Sequence, residues 1–448
     1  MPARRRQLSP AQLLTLSILG LILLGTLLLA LPASGGAGGR LALVDAAFTS
    51  TSAVCVTGLI VRDTPTDLSL FGQFVVLLLI QLGGLGYMVL TTVVAVAIGR
   101  HLTIHERLTL QEALNTQSLE GLARFALTVF KLTLVFELTG AALLAARWTT
   151  EFGWGRAAYL GVFHAVSAFN NAGFSLFSDS LMRCRGDWLV NAVVAALVVF
   201  GGVGFTVLAE LRRMRRGSSL SVHARLVLVL SGVLVAGATG MILLLEGGNP
   251  ATLGGLPAGE RVLAALFQAI TPRTAGFNTL DVGAMAPATL FLLMILMFIG
   301  AAPGGTGGGV KVTTFGITVA ALWATVRGRA DATVFRRRIS AEVVGRAFFI
   351  SLIAFLALNT VAGLLLMVEG RALLPTLFET TSAFGTVGLS MGEGGPVSLA
   401  GHFSPAGKLL LMVMMLMGRV GPLTLAVALA RGAPPPRVRY PEGKVLIG

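Results

Sequence analysis

Nine long apolar runs recur along the chain, at 10–31, 70–98, 119–146, 187–209, 224–245, 286–301, 310–326, 342–367 and 406–430. The hydrocarbon core of a bilayer is about 30 Å thick and takes roughly 20 helical residues to cross. Most of the runs meet that length. Of the 448 residues 55% are hydrophobic and only 12% charged, against about 25% charged in ordinary globular chains. So little charge cannot cover two or three soluble domains. The expected fold is an all-α membrane protein, which excludes a disordered chain, a secreted disulfide scaffold and a soluble Rossmann or barrel enzyme.

The first run opens with Ser9 and Pro10, an N-cap followed by proline at the first helical position. The small residues Ala33 and Ser34 also fit a signal-peptide cleavage site, but the run is long for one and further apolar runs follow. The runs 286–301 and 310–326 are each too short to cross alone. Between them lies Gly300-Ala301-Ala302-Pro303-Gly304-Gly305-Thr306-Gly307-Gly308-Gly309, which no regular helix tolerates. Read as one broken span, they bring the total to eight crossings with both termini on one side.

The charge distribution agrees with that count. Lys and Arg number 34 against 20 Asp and Glu, a net +14. Arg4–Arg6, the 100–107 loop, Arg212/Arg213/Arg215/Arg216 with Arg225, Arg327/Arg329/Arg336/Arg337/Arg338 and the C-terminal tail all fall on one face, which the positive-inside rule makes cytoplasmic. The excess of base is thus a topology signal and not a nucleic-acid site. Cys55 and Cys184 lie in different segments without CxxC spacing, which argues against a zinc site or a structural disulfide. None of the five histidines sits in an HExxH-like pattern, so no enzyme is expected.

Four segments in the opposite loops resemble one another. They are Phe48-Thr49-Ser50-Thr51-Ser52-Ala53-Val54-Cys55-Val56-Thr57-Gly58-Leu59, Phe163-His164-Ala165-Val166-Ser167-Ala168-Phe169-Asn170-Asn171-Ala172-Gly173-Phe174, Phe267-Gln268-Ala269-Ile270-Thr271-Pro272-Arg273-Thr274-Ala275-Gly276-Phe277 and Phe378-Glu379-Thr380-Thr381-Ser382-Ala383-Phe384-Gly385-Thr386-Val387-Gly388-Leu389. Each ends in Gly followed by Leu or Phe, with Ser or Thr five or six residues earlier. The glycines are 115, 103 and 112 residues apart. The repeating unit is a helix, a half-helix, a glycine loop and a second helix. Ordinary interhelical turns with glycine after the helix end explain the glycines, but not the shared Phe and hydroxyl offsets.

Irregular backbone at membrane depth is tolerated only where protein buries it or where it lines a wet cavity. Four equivalent loops satisfy this together by surrounding one axis. Their carbonyls then replace the hydration shell of a cation, and the negative C-terminal ends of the half-helices favour it.

At these residues the chain resembles the Ktr/Trk/HKT superfamily of potassium transporters, most of all the KtrB membrane subunits of bacterial Ktr systems. Further stretches that carry the resemblance are Gln81-Leu82-Gly83-Gly84-Leu85-Gly86, Pro303-Gly304-Gly305-Thr306-Gly307-Gly308-Gly309 and Gly418-Arg419-Val420-Gly421-Pro422. The resemblance implies eight transmembrane helices in four helix–pore-helix–helix repeats around a pseudo-fourfold ion pore. The repeats divide as 1–98, 99–212, 213–330 and 331–448.

It also implies a potassium filter at Val56-Thr57-Gly58, Asn171-Ala172-Gly173, Thr274-Ala275-Gly276 and Thr386-Val387-Gly388. In sodium-carrying plant relatives the first glycine is serine. The family implies a homodimer in the bacterial plasma membrane, a cytoplasmic nucleotide-binding ring of the KtrA kind and, in many systems, sodium stimulation. An alternating-access transporter coupling potassium or another cation to sodium or protons is the competing reading, since broken helices occur there too. Such folds usually show two large repeats, and this chain shows four small ones.

The gate is expected in the broken span, at Gly304, Gly305, Thr306, Gly307, Gly308 and Gly309 with Lys311 and Arg419. A cytoplasmic linker between two helices is the alternative. A charge within the membrane is costly unless it pairs or faces water, so Arg419 is expected to act as barrier or latch, with snorkelling the alternative for it and for Lys311. Asp45 and Glu379 are expected to set a negative outer field or to cap helices, Glu137 to pair with Lys131, and His164 to be a core residue.

Overall fold

The computed structural model describes residues 9–36, 39–86, 121–214 and 219–429, with residues 89, 92, 108, 110 and 111. Most of the second half of the 70–98 run, the 100–107 loop, Arg4–Arg6, Arg215, Arg216 and the C-terminal tail lie outside the described residues.

In chain order the main helices are α1 (Pro10–Leu29), α2 (Leu43–Val54), α3 (Leu70–Leu85), α4 (Leu122–Phe169), α5 (Trp188–Gly202), α6 (Phe205–Met214), α7 (Val222–Glu246), α8 (Ala258–Ile270), α9 (Pro287–Phe298), α10 (Val312–Val326), α11 (Ala341–Glu369), α12 (Leu373–Gly385), α13 (Pro405–Val420) and α14 (Pro422–Leu429). Among the described residues α1, α4, α7 and α11 are long and apolar enough to cross a membrane. Pairing α5 with α6 would make a fifth span, while α3, α9 and α10 are shorter apolar helices. The long helices expose Leu23, Leu27, Val233, Leu244, Phe348, Phe355 and Met367, the outward apolar surface that lipid requires.

Local chemistry sets the helix starts. Ser9 accepts from the backbone N–H of Gln12 and Gln12 accepts from that of Ser9, a reciprocal cap ahead of Pro10. Ser69, Asp187 and Ser404 cap α3, α5 and α13 from one side only, each side chain accepting from backbone N–H groups of the first turn.

Several apolar runs are not the helices that hydropathy alone suggests. The run 187–209 breaks at Val203-Gly204, where Gly204 has φ 95°, and α6 leaves at 101° to α5. The run 119–146 continues to Phe169 as one 48-residue stretch, turned at Gly153 with φ 74°, so the second pore helix follows its span with no loop. Run 406–430 breaks at Gly421 (φ 93°) before Pro422. A small antiparallel hairpin, β1 (Thr333–Val334) with β2 (Arg337–Arg338), interrupts the otherwise helical order. Hydropathy is blind to these breaks, because glycine costs little in an apolar average and yet frees the backbone.

The half-helices α2, the end of α4, α8 and α12 form the buried centre. Their repeated phenylalanines Phe48, Phe163, Phe267 and Phe378 are all buried, which accounts for the shared spacing seen in the sequence.

Candidate functional site: four glycine loops and the loop beneath them

Three half-helices end in the same turn, and the third repeat's ends in one a residue shorter. The backbone N–H groups of Thr57, Ala172 and Val387 reach back to the carbonyls of Ser52, Ser167 and Ser382 at 2.7, 2.7 and 2.9 Å, and Ala275 reaches Thr271 at 2.9 Å. The hydroxyls of these residues brace the loops from within. Ser52 and Ser382 accept from the N–H of Gly58 (3.0 Å) and Gly388 (3.1 Å), while Ser167 and Thr271 donate to the carbonyls of Phe174 (2.7 Å) and Phe277 (2.5 Å). The hydroxyl offset in the sequence is therefore a structural brace, a role that sequence reasoning missed.

Backbone conformation repeats as well. Val56, Asn171, Thr274 and Thr386 have φ of 57°, 60°, 71° and 49°, and Gly58, Gly173, Gly276 and Gly388 have 91°, 69°, 78° and 94°. Left-handed residues thus flank one ordinary residue in every loop. That alternation turns successive peptide planes over, so that carbonyls which would alternate along a strand face one side. For β-branched Val56, Thr274 and Thr386 the left-handed region is a true outlier, costing about 1–3 kcal/mol each. Strain repeated at one position in three loops is a feature of the site.

The four loops meet in a closed cycle. A Cβ on Gly58 would lie 2.4 Å from the carbonyl oxygen of Ala172, one on Gly173 2.9 Å from that of Ala275, one on Gly276 2.2 Å from that of Val387, and one on Gly388 2.3 Å from that of Thr57. Each glycine abuts the residue before the next repeat's glycine, and the fourth returns to the first. Any side chain at these positions would push a neighbouring carbonyl.

The glycine-rich stretch packs beneath this ring. Gly300 N–H donates to Val310 at 2.7 Å and Val312 N–H to Ala301 at 3.1 Å, so the 299–311 segment leaves and re-enters at one place. This favours an excursion from a broken span over an independent linker. Cβ atoms on Gly307 and Gly308 would lie 1.9 and 2.5 Å from the hydroxyls of Thr274 and Thr386, and Gly308 N–H donates to Thr386 Oγ1 at 3.0 Å. The loop thus lies against the undersides of the third and fourth ring loops. In the second, the nitrogen of the Asn171 amide donates to Ala168 and Val198 (3.0 and 3.1 Å), leaving its oxygen 3.3 Å from Thr274 Oγ1.

Thr306 anchors the loop on the second repeat: its N–H donates to Gly201 at 3.1 Å and its hydroxyl to Phe169 at 3.2 Å. Gly304 accepts from Phe205 N–H at 3.0 Å, which ties the loop to the start of α6. Arg419 spans from the other side, its guanidinium donating to Thr306 O, Gly83 O and, at 3.1 Å, Gly84 O. Lys311 Nζ donates to Gly307 O at 2.6 Å. Both cations therefore turn inward onto the loop, and neither snorkels. They open on a cavity of about 490 Å³ whose lining includes Gly83, Gly84, Gly305 and Gly307.

A sequence signal for this arrangement lay in the motifs Gly83-Gly84-Leu85-Gly86, Gly201-Gly202-Val203-Gly204 and Gly418-Arg419-Val420-Gly421. Gly83, Gly201 and Gly418 each abut the carbonyl at the end of their own half-helix (Val54, Phe169, Phe384), where a Cβ would be within 2.0 Å. Aligned this way, Arg419 stands where the other repeats have Gly84 and Gly202.

The remaining acidic residues correct the sequence reading. Asp45 meets Arg62 at 2.9 Å and Lys408 at 2.8 Å, and Glu379 accepts from Ser390 Oγ (2.6 Å) and Ala400 N–H (2.9 Å). Two cations neutralise the first and the second is buried on α12 against the segment that follows it, so neither creates an open negative field. Glu137 does not pair with Lys131. It is buried and accepts from Gln81 (3.2 Å) and Asn170 (2.9 Å), because amides from two neighbouring elements satisfy a carboxylate that α4 holds inside. His164 lies in the core, on Leu160 O and Ser175 Oγ at 2.8 and 3.0 Å.

An all-α, multi-span chain with re-entrant half-helices converging on a backbone ring is a membrane transport protein of the pore-loop class. The comparisons with known proteins agree. The family model for TrkH cation transport proteins matches residues 14–438. The chain is 39% identical over 442 residues to Ktr system potassium uptake protein B of Bacillus subtilis (strain 168), covering 98% of this chain and 97% of the relative. It is 36% identical over 454 residues to potassium/sodium uptake protein NtpJ of Enterococcus hirae, covering 99% and 98%. Among solved structures, the potassium transporter TrkH from Vibrio parahaemolyticus superposes with a TM-score of 0.74 at 21% identity, covering 96% of this chain and 87% of that one. The chain belongs to the TrkH family of cation transport proteins.

Proposed function

We propose that this chain takes up potassium across a bacterial inner membrane through a channel-like filter gated by an intramembrane loop. The observation that carries the reading is the closed cycle of contacts from Gly58 through Gly173 and Gly276 to Gly388. The filter comprises Val56-Thr57-Gly58, Asn171-Ala172-Gly173, Thr274-Ala275-Gly276 and Thr386-Val387-Gly388. Carbonyl oxygens there exchange for the hydration shell of a potassium ion. Because only one glycine per repeat is shared, the filter has few stacked rings and modest selectivity. Eight crossings in four repeats, dividing at 98, 212 and 330, with both termini cytoplasmic, fit this pore.

The gate consists of Gly304, Gly305, Thr306, Gly307, Gly308 and Gly309, latched by Arg419 and Lys311. The positive charge of Arg419 bars the axis to cations while the loop is closed. Opening requires the loop to leave Thr274 and Thr386 and Arg419 to release Thr306. The family relationship supports a homodimer and a cytoplasmic nucleotide-binding ring of the KtrA kind that drives opening, with sodium as stimulator. The four-loop ring favours this over alternating access between two large halves.

The test is flux into proteoliposomes for potassium, rubidium and sodium, with and without a ring subunit. Currents or fluxes above about 10⁶ ions per second per subunit, faster than the μs–ms domain motions that alternating access needs at each cycle, support a channel. Saturation at a few hundred per second contradicts it.

A further inference from the structure

A second cavity, about 300 Å³, lies between α5 and α7. Its walls are Val199, Leu228 and Val235, and its inner end reaches Gly202, Ala301 and Arg273. Val199 is 39% exposed and Gly232, at the mouth, is exposed, so the groove opens on the lipid-facing side of α7. Arg273 Nη1 is buried without a hydrogen-bond partner, and so is Ser231 Oγ on the same cavity. Among the described residues no carboxylate meets the Arg273 guanidinium. A guanidinium has donors only, and a cation at membrane depth needs an anion or water beside it.

We propose that this groove binds a free fatty acid, its carboxylate on Arg273 and its chain along α5 and α7. The site's apolar walls match an acyl chain, and its one unpaired cation matches a single acidic head. The volume lies at the small end of the range for ligand sites, which suits one chain and not the two of a phospholipid. The inner end touches Ala301, in the glycine-rich loop, and Gly202, whose neighbour is the Asn171 amide. An occupant therefore bears on the loop and the ring from behind. The binding itself stands independently of the ion-path reading.

The experiment uses the full chain in phosphatidylcholine nanodiscs with a photoactivatable diazirine palmitate, mapping adducts by mass spectrometry. Adducts are expected within 198–203 and 228–235, displaced about tenfold better by palmitate than by hexadecanol, equivalent to about 1.4 kcal/mol. Arg273→Met is expected to erase that preference. Gly232→Trp, where a side chain has free space, is expected to block labelling with an unchanged gel-filtration profile, and it tests the site even if Arg273→Met does not fold. Equal displacement by the alcohol, labelling that survives Gly232→Trp, or displacement by phosphatidylglycerol as good as by palmitate would overturn the proposal.

Discussion

Replacing Arg419 with alanine removes a latch whose strength can be worked from its contacts. The guanidinium donates to three carbonyls, one on the glycine-rich loop (Thr306) and two on α3 (Gly83 and Gly84). Only the bond to Thr306 spans loop and scaffold, so only that bond must break on opening. A hydrogen bond from a charged donor contributes about 1.5–3 kcal/mol. Losing it shifts the closed-to-open equilibrium by roughly 10- to 150-fold, at 1.4 kcal/mol per decade. Removing the charge also lowers the electrostatic barrier, which adds in the same direction.

Rubidium uptake into proteoliposomes without any regulatory subunit is therefore expected to rise at least about tenfold in Arg419→Ala. Arg419→Lys separates the two effects. It keeps the charge but loses the planar fork that reaches both sides, so uptake should fall between wild type and alanine. Unchanged basal uptake in both variants, with unchanged response to a ring subunit, would refute the latch.

Three other outcomes follow from the same geometry. Gly58→Ser and Gly388→Ser would place a Cβ 2.4 and 2.3 Å from the neighbouring carbonyls of Ala172 and Thr57, so the potassium-over-sodium permeability ratio from reversal potentials should fall about tenfold or more, a loss of about 1.4 kcal/mol of discrimination. Gly307→Ala overfills the contact with Thr274 Oγ1; overpacking costs about 1–3 kcal/mol, and basal rubidium uptake should increase. Glu137→Leu strands the Gln81 amide N–H, while Asn170 keeps Gln81 and Val166 as acceptors; a buried donor left unsatisfied costs about 1–3 kcal/mol, so the thermal unfolding midpoint should drop by a few degrees, with Glu137→Gln much milder.

The coarse fold and the ring loops were legible because their causes are local or periodic. Apolar runs report lipid contact, and the offsets from Phe to hydroxyl to glycine recur four times. Other features depend on partners far away in the chain. The bend at Gly204 is invisible to hydropathy. Glu137 finds Gln81 and Asn170, 56 and 33 residues away, and not Lys131, the expected partner. The same holds for Asp45, whose second cation is Lys408. Arg419 was recognisable as a costly charge, but its contacts with Thr306 and Gly83 emerge only once the fourth repeat is folded against the first. The positive φ at Val56, Thr274 and Thr386 runs against the preference of β-branched residues, so propensity alone points the wrong way.

The most direct test of the four-loop pore is anomalous scattering from crystals grown in thallium or rubidium. The account predicts a peak on the axis within reach of the carbonyl oxygens of Thr57, Ala172, Ala275 and Val387, diminished when sodium replaces the heavier ion. Ion density at the protein's periphery, with none inside the ring, would contradict it.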